Sequence, residues 1–286
     1  MATFATSDQL LVVIDPVARR TDGESVRIAK DVLSAGAATK VCLPEGPEEF
    51  ARALARRGSR RPVVVGDDRA LVRAVSLLHR QRELAGCVLS LVPVGGGLAL
   101  AETLGVPTGA VAAARAVLDG VERRLDLLVD DSDGVVLGGL RIPPLAAREA
   151  ARPMEAVPAA PGRPWLRTTY QSLVRTLAAR PARLAPSVPA PGPARLRVEI
   201  DGVTVVDLDQ PVEGVSVAPG RSGLAEVEVH PLSVGAEASP LLASGRTVTV
   251  TGADFRYRAD EAVTGPVRRR TWRALEGAWG LTVPSS

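Results

Sequence analysis

Residues 61–75 read RPVVVGDDRALVRAV and contain a β-branched run, a Gly-Asp-Asp turn and a segment with helical periodicity. The order strand, turn, helix is the repeating unit of a parallel α/β sheet. The same alternation recurs through the first half of the chain, with carboxylates in the first turn of the helices, where the helix dipole favours them. Further strands are predicted over Leu10–Ile14, Lys40–Leu43 and Cys87–Val92, and helices from Gly23-Glu24, Gly46–Glu49 and Asp67-Asp68. The first half is therefore predicted to be α/β with a mainly parallel sheet.

After Ile142 the chain becomes proline-rich and then alternates with a period of two. One amphipathic helix is predicted over Trp165–Arg180 between proline-rich stretches. From Arg195 onward apolar and polar residues alternate, and Asp201-Gly202 is typical of a two-residue hairpin turn. We therefore predict an α/β domain over residues 1–124 and an antiparallel β-sandwich domain over 125–286, with the option that the final strand returns to the first domain.

The composition is that of a folded protein, because 46% of the 286 residues are hydrophobic and 23% are charged. Of the 35 basic residues only Lys30 and Lys40 are lysines, and 32 acidic residues leave a net charge of +3. This near-balance gives no dominant basic surface, so nucleic-acid binding is not expected. Neither a signal peptide nor a membrane span is predicted. Cys42 and Cys87 lie within predicted strands and are expected to be buried free thiols, as in a reducing cytoplasm.

Three loops follow predicted strands and lie at the carboxyl edge of the sheet, where open α/β folds bind ligands. They span Ile14–Arg19, Val65–Ala70 and Pro93–Ala101. Glycines in such loops let backbone N–H groups approach a phosphate, and a helix that begins there adds a favourable dipole. Each loop taken alone also fits an ordinary strand-to-helix turn, in which Gly and Asp supply turn geometry and helix capping.

Taken together, in this order and spacing, the three loops resemble the diacylglycerol kinase catalytic family of bacterial lipid kinases. That family carries N-P-x-x-G, then G-G-D-G-T, then P-x-G-T-x-N-D-F-A, followed by a helix and an R-x-I-D strand. Asp15-Pro16 stands at the first motif, Gly66–Ala70 at the second and Pro93–Ala101 at the third, and Arg123–Asp126 extends the match. The resemblance implies an α/β domain of the NAD kinase and diacylglycerol kinase type beside a β-sandwich.

The resemblance also implies a site and its cofactors, ATP and Mg²⁺. Asp68 stands at the acidic position of the second motif and would serve both the metal and catalysis. The implied nucleotide-binding residues are Asp15, Pro16, Gly66, Asp67, Arg69, Gly95, Gly96 and Gly97. The implied reaction is ATP-dependent phosphorylation of a lipid hydroxyl such as that of diacylglycerol.

Several motif positions depart from the family pattern. Asp67 and Arg69 replace glycines of the second motif, and Ala70 replaces its threonine. Leu98 and Ala99 replace the asparagine and aspartate of the third. A carboxylate at position 67 would repel a polyanion, although the Arg69 guanidinium has the chemistry to hold phosphate. We therefore expect kinase activity to be impaired or absent, and an active lipid kinase is the alternative.

The lipid hydroxyl loses its proton when it attacks the γ-phosphate, and the resemblance implies that a carboxylate from a later segment takes part in this acid–base chemistry. The family's later D-G-E segment resembles Asp260-Glu261, which lacks the glycine, and Asp201-Gly202-Val203 is a competing match. A hairpin turn is the structural alternative for Asp260-Glu261.

Three functions are thus open from the sequence: an impaired diacylglycerol kinase-like protein, an active lipid kinase, or a non-enzymatic protein that binds a lipid or a protein. The expected location is the cytoplasm, with any lipid ligand met at the inner membrane surface. The sequence leaves the oligomeric state open.

Overall fold

The computed structural model describes residues 9–144, 193–232 and 239–285. The first half contains four parallel strands, in the spatial order β2, β1, β3, β4. Their bounds are β1 Leu10–Ile14, β2 Thr39–Cys42, β3 Arg61–Gly66 and β4 Val88–Pro93. All four predicted strands are present, with ends that differ by one residue or not at all.

Within the described residues, six helices cover this sheet, at α1 Pro16–Thr21, α2 Gly23–Gly36, α3 Pro47–Ala55, α4 Asp68–Arg80, α5 Ala99–Thr103 and α6 Ala110–Asp119. Alternate residues of β1 point to opposite faces. Leu11 and Val13 pack in one core with residues of α3 and α4, and the other β1 residues pack in a second core with residues of α2 and α6. The sheet is therefore buried on both faces, which is why its strands are continuous apolar runs.

Local capping sets where the helices begin. The Asp22 carboxylate accepts a hydrogen bond from the Ser25 N–H and caps α2, and Asp67 caps α4 in the same way through Ala70. The loop predicted after β1 is wrong beyond Asp15, because Asp15 caps a short helix, α1, that starts at Pro16. Proline is favoured at that first helical position because its fixed φ suits the helix and no N–H is needed there.

The remaining strands pair antiparallel with one another. One of them, the last strand of the chain, also pairs with the parallel sheet. They are β5 Val121–Asp130, β6 Val135–Val136, β7 Leu140–Ile142, β8 Leu196–Ile200, β9 Val203–Val206, β10 Val212–Pro219, β11 Ala225–Pro231, β12 Leu241–Gly245, β13 Thr247–Ala259 and β14 Ala262–Val283. The predicted hairpin at Asp201-Gly202 is confirmed, since both residues have the positive φ, +49° and +83°, that a two-residue turn of this type requires.

The long strand β14 links the two parts. It pairs antiparallel with β13 and β5, and its Gly280 and Leu281 pair parallel with Val88 and Leu89 of β4. A buried hydrogen bond of 2.9 Å joins the Ser90 and Thr282 hydroxyls at the same seam. Sequence alternation predicted only the last three residues of this strand, because its first half is largely exposed and rich in arginine.

The predicted fold class is confirmed: a parallel α/β sheet is continued by antiparallel strands around a core of their own. The helix predicted over Trp165–Arg180 lies outside the described residues. No helix in the described ranges is both long and apolar enough to cross a membrane. Cys87 is a buried free thiol as predicted, whereas Cys42 is only half-buried, because β2 lies at the edge of the sheet.

Candidate functional site

The loops that follow β3 and β4 are tied to each other through Asp68. Its carboxylate accepts the Leu100 N–H at 2.8 Å and the Ala101 N–H at 3.0 Å, in the first turn of α5. Its own N–H donates to the Gly97 carbonyl at 2.9 Å. Asp68 therefore caps a helix 32 residues further along the chain, and both of its carboxylate oxygens are engaged.

The Asp68 side chain is also withdrawn from solvent, with 2% of its surface exposed. Burial raises the pKa of this carboxyl group, the two backbone N–H donors lower it, and the charges of Glu261 and Asp67 add to the rise. The net effect is a raised pKa, because desolvation is the largest contribution.

Asp67, Gly66 and Ala70, which are close to Asp68 in sequence, stabilise the turn between β3 and α4. The Asp67 carboxylate accepts the Ala70 N–H at 3.0 Å as the cap of α4. Gly66 is required by close packing, since a Cβ there would lie 2.7 Å from the Ala70 Cβ and 3.0 Å from the Asp15 Cβ. The small side chain of Ala70 and the glycine at 66 thus belong to the same tight contact.

Asp15 and Pro16, the predicted first-motif residues, are buried at the start of α1. The Asp15 carboxylate accepts the Val17 N–H at 2.8 Å and is paired with the Arg73 guanidinium at 2.7 Å. An arginine of α4 therefore balances the negative charge that aspartate introduces at this position.

In the loop after β4, unlike the loop after β3, the three glycines are loosely packed and their N–H groups are not used within the described part of the chain. Gly95 has a φ of +124°, which favours glycine, and a Cβ at Gly96 or Gly97 would meet nothing within 4 Å. Within the described ranges, no protein group accepts a hydrogen bond from the N–H of Gly95, Gly96 or Gly97. These three amides are available to an anion.

The antiparallel half contributes Asp260, at the turn between β13 and β14. Its carboxylate accepts three backbone hydrogen bonds, from Leu137 at 3.0 Å, Gly138 at 2.7 Å and Gly139 at 3.2 Å. Its φ of +46° is a conformation that aspartate tolerates better than most residues. Burial raises the pKa of Asp260, and the three N–H donors oppose that rise.

Glu261 is the most accessible of the three predicted acidic residues. Its side chain is 36% exposed and lies 3.3 Å from the Arg258 guanidinium and 3.9 Å from that of Arg69. The pair with Arg69 connects the loop after β3 to the β13–β14 turn. Leu100 and Asp260 both lie next to Gly138, since a Cβ there would be 3.0 Å from the first and 3.2 Å from the second.

The structure thus brings the second and third loops together with Asp260 and Glu261. Asp201, the competing match, lies at the β8–β9 turn, where its carboxylate accepts the N–H groups of Arg246 and Thr247. The sequence interpretation missed Arg73, Arg258 and the Leu137–Gly139 turn. The partners of Arg73 and of the Leu137–Gly139 turn are distant in the chain, so no local signal marks them. Arg258 pairs with Glu261 three residues away, and that short spacing of opposite charges is a local signal that could have found it.

The donor set at this site does not fit Mg²⁺. Magnesium usually keeps several waters and is bound through accessible carboxylates. The Asp68 side chain is 2% exposed, and each of its oxygens already accepts a backbone N–H. Glu261 is flanked by two arginines. Across the residues that the structure describes, no cluster of three His, Cys, Asp or Glu side chains is placed to hold a metal ion.

Several solved structures are similar to this chain. A candidate diacylglycerol kinase from Bacillus anthracis str. Sterne aligns with a TM-score of 0.69 and 13% identity over 98% of each chain. Another structure from that organism, a diacylglycerol kinase, aligns with a TM-score of 0.66 and 12% identity over 98% of each chain. An NAD kinase from Archaeoglobus fulgidus in complex with ATP aligns with a TM-score of 0.50 and 13% identity, over 96% of this chain and 93% of that chain.

No protein-family model and no curated protein sequence matches the chain. The structural similarity, at 12–13% identity, establishes that the chain has the diacylglycerol kinase-like fold that the three loops predicted.

Proposed function

We propose that this protein has kept the lipid-kinase fold but is impaired in, or has lost, the transfer of phosphate from ATP. The observation that carries the proposal is the state of Asp68, whose two carboxylate oxygens both accept backbone N–H groups while the side chain is buried. A general base must come within about 2.6–3.2 Å of the proton it removes. A buried carboxylate that already caps a helix does not offer that contact.

Asp260 supports the same proposal. Three backbone N–H donors hold its carboxylate in the Leu137–Gly139 turn. Both aspartates therefore have a structural role, because their hydrogen bonds join distant segments of the chain. Each would accept a proton from a substrate only in competition with the two or three backbone N–H groups that its oxygens already accept.

The loop after β4 retains features that are compatible with some binding of phosphate. The N–H groups of Gly95–Gly97 find no acceptor within the described residues, a Cβ at Gly96 or Gly97 would meet nothing within 4 Å, and the Arg69 side chain is 67% exposed. Asp67 opposes binding, because its side chain lies against Gly95. The Archaeoglobus NAD kinase with a similar fold was crystallised with ATP. We therefore expect weak binding of a nucleotide phosphate without efficient transfer.

A thermal-shift titration with ATP, with and without Mg²⁺, tests binding. A ligand that binds only the folded protein raises Tm with its concentration. We expect a small rise that depends little on Mg²⁺, because the side chains present do not form a Mg²⁺ site. A large rise that requires Mg²⁺ would contradict the proposal.

Transfer is tested with γ-labelled ATP and vesicles that contain diacylglycerol, with an active diacylglycerol kinase as the positive control. We expect no phosphatidate above the level without protein. Robust labelling that Asp68→Asn abolishes would overturn the proposal and support an active kinase.

An active kinase that uses Glu261 is the second candidate, favoured by the exposure of that carboxylate beside Arg69. Labelling that Glu261→Gln abolishes, and that Glu122→Gln on the distant strand β5 leaves unchanged, would support it. Both residues are accessible, so neither substitution is expected to affect folding.

A further inference from the structure

A separate pocket lies at the free edge of the parallel sheet, between β2 and α3, with a volume of about 460 Å³. Pairing of Leu11 with Lys40 and of Val13 with Cys42 directs Lys40 and Cys42 to the face that α3 covers. Phe50 and Leu54 anchor α3 in the core with β1 and α4. The helix therefore leaves the edge strand partly uncovered, and the pocket forms there.

The pocket has an excess of positive charge. Lys40, Arg52 and Arg56 line it and are exposed, and Glu49 is the single acidic residue of the lining. Glu49 lies 3.5 Å from Arg52 and balances one of the three cations. Two positive charges remain to attract an anion.

The rest of the lining is apolar. Leu11, which is 1% exposed, Pro44 and Ala53 lie beside the half-buried thiol of Cys42 and the exposed side chain of Leu43. A concave surface with an apolar lining and a few convergent charged groups is typical of a small-molecule site, and the volume falls in the usual range of about 300–1,000 Å³.

We propose that this pocket binds a phosphate monoester that carries an apolar group. A phosphate monoester has close to two negative charges at neutral pH, which matches the charge excess, and guanidinium groups bind phosphate oxygens in pairs. The apolar group would lie against Leu43, Pro44 and Ala53. The lining comes from β1, β2, α3 and the segment after β2, so the pocket is independent of the loops that contain Asp68 and Gly95.

Cys42 reports on occupancy, because it lines the pocket and is half-buried, whereas Cys87 is 5% exposed and serves as an internal control. The experiment measures alkylation of each cysteine by N-ethylmaleimide against the concentration of phenyl phosphate. We expect saturable protection of Cys42 by phenyl phosphate and little protection by benzyl alcohol, which lacks the phosphate, or by inorganic phosphate, which lacks the ring.

Two substitutions locate the binding. Arg56→Gln and Lys40→Gln each remove one exposed cation of the pocket and are expected to raise the apparent Kd by about tenfold. Lys30→Gln removes the only other lysine, which lies on α2 at the opposite face of the sheet, and is expected to leave the Kd unchanged. An equal Kd for all three variants would overturn the proposal.

A second arm distinguishes a free metabolite from a lipid headgroup. Flotation with vesicles that contain phosphatidate, compared with neutral phosphatidylcholine vesicles, tests the lipid source. Protection by phenyl phosphate that Arg56→Gln weakens supports a small metabolite, and flotation that Arg56→Gln abolishes supports a lipid phosphate. Failure of both arms overturns the proposal and leaves the proposed function untouched, because that function depends on other residues.

Discussion

The loops that follow β3 and β4 are neighbours at the same edge of the sheet, yet they differ in how their polar groups are used. In the first, Asp67 caps its own helix and Asp68 caps another. In the second, the N–H groups of Gly95–Gly97 find no acceptor within the described parts of the chain. We call residues 66–70 the closed loop and residues 94–98 the open loop.

The difference teaches that a retained motif residue need not retain its expected chemistry. Asp68 stands where the family has its acidic residue, but here its carboxylate is satisfied by α5. The open loop has lost the polar side chains of the family motif at Leu98 and Ala99 while its backbone stays accessible.

The largest expected effect separates the two aspartates of the closed loop. Asp68→Ala leaves the buried N–H groups of Leu100 and Ala101 without an acceptor and should lower the free energy of unfolding by about 2–3 kcal/mol. Asp67→Ala removes only a helix cap and should cost about 1 kcal/mol. Urea denaturation measures both. Equal losses of unfolding free energy in the two variants would show that the hydrogen bonds of Asp68 to α5 stabilise the fold no more than the local cap formed by Asp67.

A smaller effect separates the glycines of the two loops. Gly66→Ala places a Cβ against Ala70 and Asp15 and should cost about 1–3 kcal/mol through overpacking. Gly96→Ala enters open space and should change the free energy of unfolding by less than about 0.5 kcal/mol. The same denaturation experiment serves both variants, and a destabilised Gly96→Ala protein would show that the open loop is packed after all.

The smallest effect concerns the pH dependence contributed by Asp260, at the turn between β13 and β14. Burial raises its pKa above the ordinary value of 3.8, so the folded chain binds the proton at a higher pH than the unfolded chain. The charged form then costs stability above the raised pKa, and this cost is relieved as the pH falls towards 3.8.

The test compares the wild-type protein with Asp260→Asn, which does not titrate there. As the pH is lowered from about 7 to about 4.5, the free energy of unfolding of the wild type should increase relative to that of the variant. If the relative stability of the wild type instead decreases as the pH is lowered, the three N–H donors outweigh burial and the pKa of Asp260 is lowered.

Some local features of the chain could be predicted from the sequence pattern. The order of the loops, the cap at Asp67 and the hairpin at Asp201-Gly202 follow from residues that are close in sequence. The short helix α1 was missed because Asp15-Pro16 also fits a loop. The partner of Arg73 was missed because no periodicity encodes a contact between separate elements, whereas Glu261, the partner of Arg258, is only three residues away.

The sequence by itself determined the βα alternation, the antiparallel second half and the departures from the kinase motifs, because these depend on composition and short-range spacing. Only the tertiary structure decided what the carboxylates do. Asp68 finds its donors 32 residues away and Asp260 finds its donors more than 120 residues away. An aspartate serves as a base, as a metal ligand or as a structural link between segments according to which N–H groups lie near its oxygens. Those N–H groups come from distant parts of the chain, so only the packing of the folded protein brings them there.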